Sequence, residues 1–183
     1  GANDGVQVNA SLTNPLVADT DGDDMPDGYE ITNGLGPLVA NGFEDADGDR
    51  YPNVFEYARG SNPVDRASTP TPTYVVNGAG GGTHTTFSAA LAAADVANGQ
   101  YQIIGFAPGV YTGTSNTRNL TIAATKPKLL VIGLEGAAKT IIDSETLDYG
   151  WNVKNAAVIS SLTFRNTWQA LYVDAPGKEV RFV

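Results

Sequence analysis

Cysteine is absent from this 183-residue sequence, and histidine and methionine each occur once. Neither disulfides nor thiolate chemistry can therefore brace the chain or act in it. His84, the single histidine, stands ahead of a helical pattern with no nucleophile nearby to serve. No basic stripe runs along the chain, which argues against a nucleic-acid partner. No apolar run approaches the roughly 20 residues of a membrane-crossing helix, so no membrane insertion is expected. The glycine-rich run from Gly78 to Gly82 lacks the Lys-Ser/Thr or GxGxxG spacing of a phosphate loop. The chain begins Gly-Ala-Asn-Asp with neither initiator methionine nor apolar h-region, as expected of a processed secreted protein or a trimmed one.

What the sequence has in excess is acid, and it is localised. The formal net charge is -9. Residues 19–65 hold twelve acids against two bases, Arg50 and Arg59, while the remainder holds eight acids and nine bases. Such a density of like charge repels itself unless cations compensate it.

Two stretches account for it: DTDGDDMPDGYE at residues 19–30 and its near copy DADGDRYPNVFE at 45–56. Both place aspartates at the first, third and fifth positions (Asp19, Asp21, Asp23; Asp45, Asp47, Asp49). An oxygen donor follows at the ninth (Asp27, Asn53) and a glutamate at the twelfth (Glu30, Glu56). Hard divalent cations need this pattern, because calcium takes six to eight oxygens and alternate residues of a tight loop point inward at one centre. A solvated acidic linker would not repeat one register around a fixed glycine. Two calcium ions are therefore expected as cofactors, in sites suited to millimolar extracellular calcium.

Pro26 and Pro52 stand at the eighth positions. A paired EF-hand bridges its loops through the N–H of that residue, which proline lacks. Proline suits a helix start instead, so each loop should run into a short helix, ending near Asn33-Gly34 and at Gly60. The sixth position requires positive φ; Asp24 tolerates it, and Arg50 less well.

Residues 19–65 resemble the bacterial thrombospondin type 3-like repeats, DxDGDGLPDxxE and DxDGDGxxNxxEY followed by a Gly-x-Asn/Asp-Pro segment, here Gly60-Ser61-Asn62-Pro63. The resemblance implies calcium-dependent rigidity between extracellular parts. It carries over Asp19, Asp21, Asp23, Asp27 and Glu30 as ligands of one ion and Asp45, Asp47, Asp49, Asn53 and Glu56 of the other. Met25 and Tyr51 would add backbone carbonyls. Helices this short do not stand alone, so Tyr29, Ile31, Phe55 and Tyr57 should pack around the ions.

Ahead of this module, in residues 1–18, Val6, Val8, Ala10 and Leu12 alternate with polar residues, reading as a strand if something pairs with it and a frayed terminus otherwise. Asn9-Ala-Ser11 and Asn119-Leu-Thr121 match glycosylation sequons. After it, RASTPTPT at 66–73 reads as an extended spacer.

From residue 74 to 183 the pattern is short β-type runs between turns: 74–76, 102–106, 120–122, 129–132, 140–142, 158–164, 170–173 and 180–183, with a helix over 86–97 whose Phe87, Leu91 and Ala94 share a face. Val131, Val158 and Arg181 mark comparable places in successive segments, and such a period indicates a solenoid of strands. THTTFSAALAAA, APGVYTG, KLLVIGLEG, KTIID and AAVISSLTFRN resemble the opening of a pectate lyase-like domain. That resemblance implies a short right-handed parallel β-helix with an N-terminal capping helix, in a mainly β protein. Ile104, Leu120, Ile122, Leu129, Val131, Ile141, Val158, Leu162, Phe164, Leu171 and Val173 would face the coil interior.

Enzymes of this fold need an acidic calcium cluster with a basic residue, or paired carboxylates. Asp143, Glu145 and Asp148 form only a loose acidic trio, and no acid/base pair is assigned. Arg165 and Trp168 could contact a glycan. The final EVRFV strand offers an open edge, so either the natural protein continues or another subunit covers it. The reading is a calcium-stabilised extracellular or cell-surface structural or adhesive protein, forming a homo-oligomer or polymer through that end. Its alternatives are the front of a secreted polysaccharide lyase or glycoside hydrolase, and a carbohydrate-binding module.

Overall fold

The computed structural model describes residues 13–94, 100–117, 120–122, 128–145, 149–154, 157–173 and 180–182. The alternating segment Val6 to Leu12, the helix end at 95–97, Asp148, Val183 and both sequon asparagines lie outside them. The chain divides into two compact units, Gly1–Pro70 and Thr71–Val183, parting within the Thr/Pro stretch.

In the first unit each acidic loop runs into a two-turn helix, α1 (Asp27–Asn33) and α2 (Asn53–Arg59). Pro26 and Pro52 precede them in extended conformation, with φ of -69° and -66°, and so occupy the N-cap just outside the helix. Gly34 and Gly60 end them at φ of 72° and 78°, a left-handed turn that a Cβ would strain. Beyond each glycine, Leu35 and Ser61 return their N–H groups to the carbonyls of Glu30 and Glu56, at 2.8 and 3.0 Å. Phe55 is wholly buried against Phe43, and Tyr29 packs on Tyr57 with ring centroids 4.6 Å apart. Ile31 is half-buried.

The second unit is built of strands β1 (Tyr74–Val76), β2 (Gln102–Phe106), β3 (Gly109–Tyr111), β4 (Thr121–Ile122), β5 (Leu129–Gly133), β6 (Thr140–Asp143), β7 (Tyr149–Val153), β8 (Ala157–Ser160), β9 (Thr163–Arg165), β10 (Gln169–Val173) and β11 (Val180–Phe182). They form three sheets, ordered β1-β2-β5-β8-β11, β3-β6-β9 and β10-β7-β4, and every pairing between these strands is parallel. From β2 to β11 the chain visits the three sheets in strict rotation. The unit is mainly β.

Helix α3 (Phe87–Ala94) buries Phe87, Ala90, Leu91 and Ala94 in the core, with Ile104, Phe106, Leu129, Val131, Ile142, Val153 and Ile159 from the strands. Trp151 sits at the centre, 4.4 Å from Phe87 and 4.9 Å from Phe164 between ring centroids. Asn116, in the short helix α4 (Thr114–Thr117), fixes both: its Oδ1 accepts the Phe87 N–H and its carbonyl accepts Trp151 Nε1–H, each at 2.9 Å. Strands β2, β5 and β8 are buried at every position, as expected of a parallel sheet covered on both faces.

The register corrects part of the expected interior. Val131 pairs with Ile159, and Val158 with Leu130, so the step from one segment to the next is one residue longer than equating Val131 with Val158 allows. A slip of one residue exchanges the faces of a strand. Ile159 rather than Val158 therefore joins the cluster around Trp151, with Val158 buried on the opposite face; in β6 Ile142 joins it rather than the half-buried Ile141, and Val173 is exposed. Ile104, Ile122, Leu129 and Val131 lie in it as expected, and Leu120, Leu162, Phe164 and Leu171 pack against it partly buried. The run 158–164 is two strands, parted at Ser161 in left-handed conformation (φ 58°).

Candidate metal centres

Each loop of the first unit gathers three aspartates. Carboxylate oxygens of Asp19, Asp21 and Asp23 lie within 4.8 Å of one another, as do those of Asp45, Asp47 and Asp49. The backbone turns through left-handed residues at the fourth and sixth positions, Gly22 (φ 80°) and Asp24 (72°) in one loop, Gly48 (78°) and Arg50 (85°) in the other. The first aspartate is the hub of this turn. Asp19 accepts the N–H groups of Gly22 at 2.7 Å and Asp24 at 2.9 Å, and Asp45 accepts those of Gly48 and Arg50, both at 2.7 Å. These bonds offset the cost, about 1–3 kcal/mol, of holding a residue such as Arg50 left-handed.

The third and fifth aspartates are each anchored through Oδ1, and Asp23 through Oδ2 as well. Asp21 Oδ1 accepts the Asp23 N–H and Asp23 Oδ1 that of Met25; Asp47 and Asp49 do the same for Asp49 and Tyr51. Their second oxygens are the informative ones. Asp21 Oδ2, Asp47 Oδ2 and Asp49 Oδ2 are buried with no hydrogen-bond partner among the described residues.

The helices complete each cluster with a glutamate. Glu30 and Glu56 are 0 % exposed. Both oxygens of Glu30, and Oε2 of Glu56, are likewise unpartnered. Burial, and then the charges of Asp23 and Asp21, push Glu30 up to about 8; burial, and then Asp49 and Asp47, do the same to Glu56. A buried carboxylate without a partner is costly, and a cation among these oxygens supplies the missing one. The donors are all oxygens, the set that suits a hard cation. Each loop could hold a metal ion.

The other predicted ligands are placed as follows. Asp27 accepts the Thr20 N–H on Oδ1 and the Thr20 hydroxyl on Oδ2, both at 2.8 Å. Asn53 accepts the Ala46 N–H on Oδ1 at 3.1 Å and donates through Nδ2 to the Asn41 carbonyl at 3.0 Å. The ninth position therefore closes each loop on itself. Met25 and Tyr51 are buried.

Residues 41–44, which the sequence reading passed over, join the two loops. Asn41 donates its N–H to Asp23 Oδ2 at 2.8 Å, and the carbonyls of Gly42 and Glu44 accept the N–H groups of Val54 and Asn53, both at 2.8 Å. A backbone donor leaves no side-chain signature to find. Ser61, whose hydroxyl reaches Glu56 Oε1 at 3.2 Å, was open to discovery by aligning the two copies.

In the second unit Asp143 is committed to structure. It accepts from the Glu145 N–H (2.9 Å), Asn166 Nδ2 (2.8 Å) and Arg165 Nε (2.8 Å), and these contacts, led by the Glu145 N–H, hold it below the ordinary aspartate range. Glu145 Oε2 accepts the Gly113 N–H at 3.2 Å. His84 Nδ1 lies 3.0 Å from the Thr83 hydroxyl, with its ring edge-on to Tyr74. Trp168 is exposed, and Arg165 pairs with Asp143. Among the described residues no helix is long and apolar enough to cross a membrane.

Comparison of the chain with protein-family models, with curated proteins and with solved structures finds no match.

Proposed function

We propose that this chain is a calcium-stabilised structural or adhesive protein of the extracellular space or cell surface. Residues 19–65 hold two calcium ions in thrombospondin type 3-like loops, and residues 74–183 form a short right-handed parallel β-helix of the pectate lyase-like class, capped at its start by α3. The observation that carries the reading is the set of buried, unpartnered carboxylate oxygens on Glu30 and Glu56 beside the two aspartate triplets. Calcium is the ion because the donors are carboxylates and carbonyls alone, and because extracellular calcium at millimolar concentration fills such loops. With four units of negative charge cancelled, the first unit becomes a rigid brace.

The coil reading is supported by the strict rotation of the chain through three parallel sheets, and its hand by the strong preference of parallel crossovers for right-handed connection. Strands β9, β10 and β11 each stand at an edge of their sheet, and Leu162, Phe164 and Leu171 are only partly buried there. Edges of this kind recruit strands, so copies of the chain associate through this end into an oligomer or polymer. Electron microscopy of the purified protein in calcium tests the assembly: filaments or ordered oligomers are expected, and a calcium-loaded monodisperse monomer contradicts it.

A further inference from the structure

The two loops are copies offset by 26 residues, yet they do not offer a cation the same oxygens. In the first, the Asn41 N–H occupies Asp23 Oδ2, and both oxygens of Glu30 are unpartnered among the described residues. In the second, Asp49 Oδ2 is unpartnered, whereas the Ser61 hydroxyl donates to Glu56 Oε1 at 3.2 Å and leaves only Oε2 without a partner. Asp21 Oδ2 and Asp47 Oδ2 correspond in the two. Leu35 is the residue aligned with Ser61, and each returns its N–H to the carbonyl of its own loop's glutamate. The two side chains therefore start from equivalent places, and only the serine has a hydroxyl to give.

Resting on the calcium reading above, we infer that the loops differ in cation preference: residues 19–30 select calcium, residues 45–56 exchange calcium with magnesium, and Ser61 is the residue that sets the difference. Magnesium demands a near-ideal octahedron of six ligands, whereas calcium accepts six to eight at longer distances, so a glutamate that gives both oxygens suits only the larger shell. Glu30 has both to give. Glu56, with Oε1 held by Ser61, has one unpartnered oxygen, and with Asp47 and Asp49 presents three unpartnered oxygens from three separate side chains. Either ion accepts such a set.

The test is calorimetric titration of the metal-stripped full chain with calcium, alone and in a large excess of magnesium chloride. Magnesium at about ten times its dissociation constant for one site should lower that site's apparent calcium affinity about tenfold by competition and leave the other unchanged. Ser61→Ala should relieve that competition about tenfold, the size of effect typical of groups that hold a ligand in place. The reciprocal Leu35→Ser should make the first site magnesium-sensitive as well, which keeps the inference testable if one variant fails to fold. Two calcium sites of equal magnesium sensitivity, or a competition indifferent to Ser61→Ala, overturn this inference and leave calcium binding standing. A chain that binds no calcium overturns both.

Discussion

Asn41 donates its backbone N–H to Oδ2 of Asp23 across 2.8 Å, and the next residue, Gly42, lies so close that a Cβ there would stand 2.6 Å from the Asp23 carbonyl oxygen. One loop's carboxylate is thus seated on the strap that leads to the other loop. Because the obstacle is backbone, it cannot swing aside as a side-chain tip would.

Gly42→Ala should therefore destabilise the first unit by about 1–3 kcal/mol, the usual cost of forcing atoms into a packed site. Calcium affinity of the loop at residues 19–30 should weaken with it. Chemical denaturation and calorimetric titration of the variant check both. Wild-type stability together with wild-type affinity would show that the strap is not seated on Asp23.

The metal-free protein should lose stability as pH rises. Glu30 and Glu56 hold their protons in the fold up to about 8, against an ordinary value of 4.5. Between those values the folded chain binds more protons than the unfolded one, so the contribution is full below the lower value and vanishes on passing the upper. Calcium, which displaces those protons, should bind more tightly across the same rise. Thermal midpoints near pH 5 and near pH 8, with and without calcium, should move in opposite directions; parallel curves would contradict the account.

At Asp143 the sign reverses. Its value in the fold is depressed, chiefly by the Glu145 N–H and Asn166, with Arg165 adding to them. A depressed carboxyl stabilises the fold above its unfolded value, and that stabilisation disappears as pH falls through the folded one. Asp143→Asn should lower the midpoint at neutral pH and flatten its decline in acid. A variant whose acid profile overlays the wild type would rule out this linkage.

Gly150 faces Ala170 across the β7–β10 pair, where an added Cβ would meet the Ala170 carbonyl oxygen at 2.0 Å. Gly150→Ala should cost about 3 kcal/mol or more, since neither strand can yield without breaking the ladder. Both tryptophans, Trp151 and Trp168, belong to the second unit, so their fluorescence in a denaturant series reports this unit directly. An unchanged midpoint would mean that the strands pair in another register.

The first unit was legible because its loops write their chemistry in side chains at fixed spacing. The aspartate triplets, the glutamates and the turns at Asp24 and Arg50 all follow from that spacing. What escaped was carried by the backbone, as with Asn41, or by a position beyond the repeat, as with Ser61. In the second unit apolar runs announced β2 and β5, buried throughout. Strand β7, Tyr149–Val153, went unread although Tyr149, Trp151 and Val153 alternate with Gly150 and Asn152, and Trp151 at its centre is the largest wholly buried side chain described. The faces of β6 and β8 could not be assigned without the register, since the adjacent pairs Ile141-Ile142 and Val158-Ile159 carry no alternation to read.

The central claim is that the two loops are calcium sites on which the first unit depends. Its most direct test is calorimetric titration of the metal-stripped chain with calcium, paired with a thermal scan. The account predicts two ions bound per chain and a raised midpoint, worth about 2.7 kcal/mol for each site when calcium stands at a hundred times its dissociation constant. No heat of binding and no shift at millimolar calcium would contradict it.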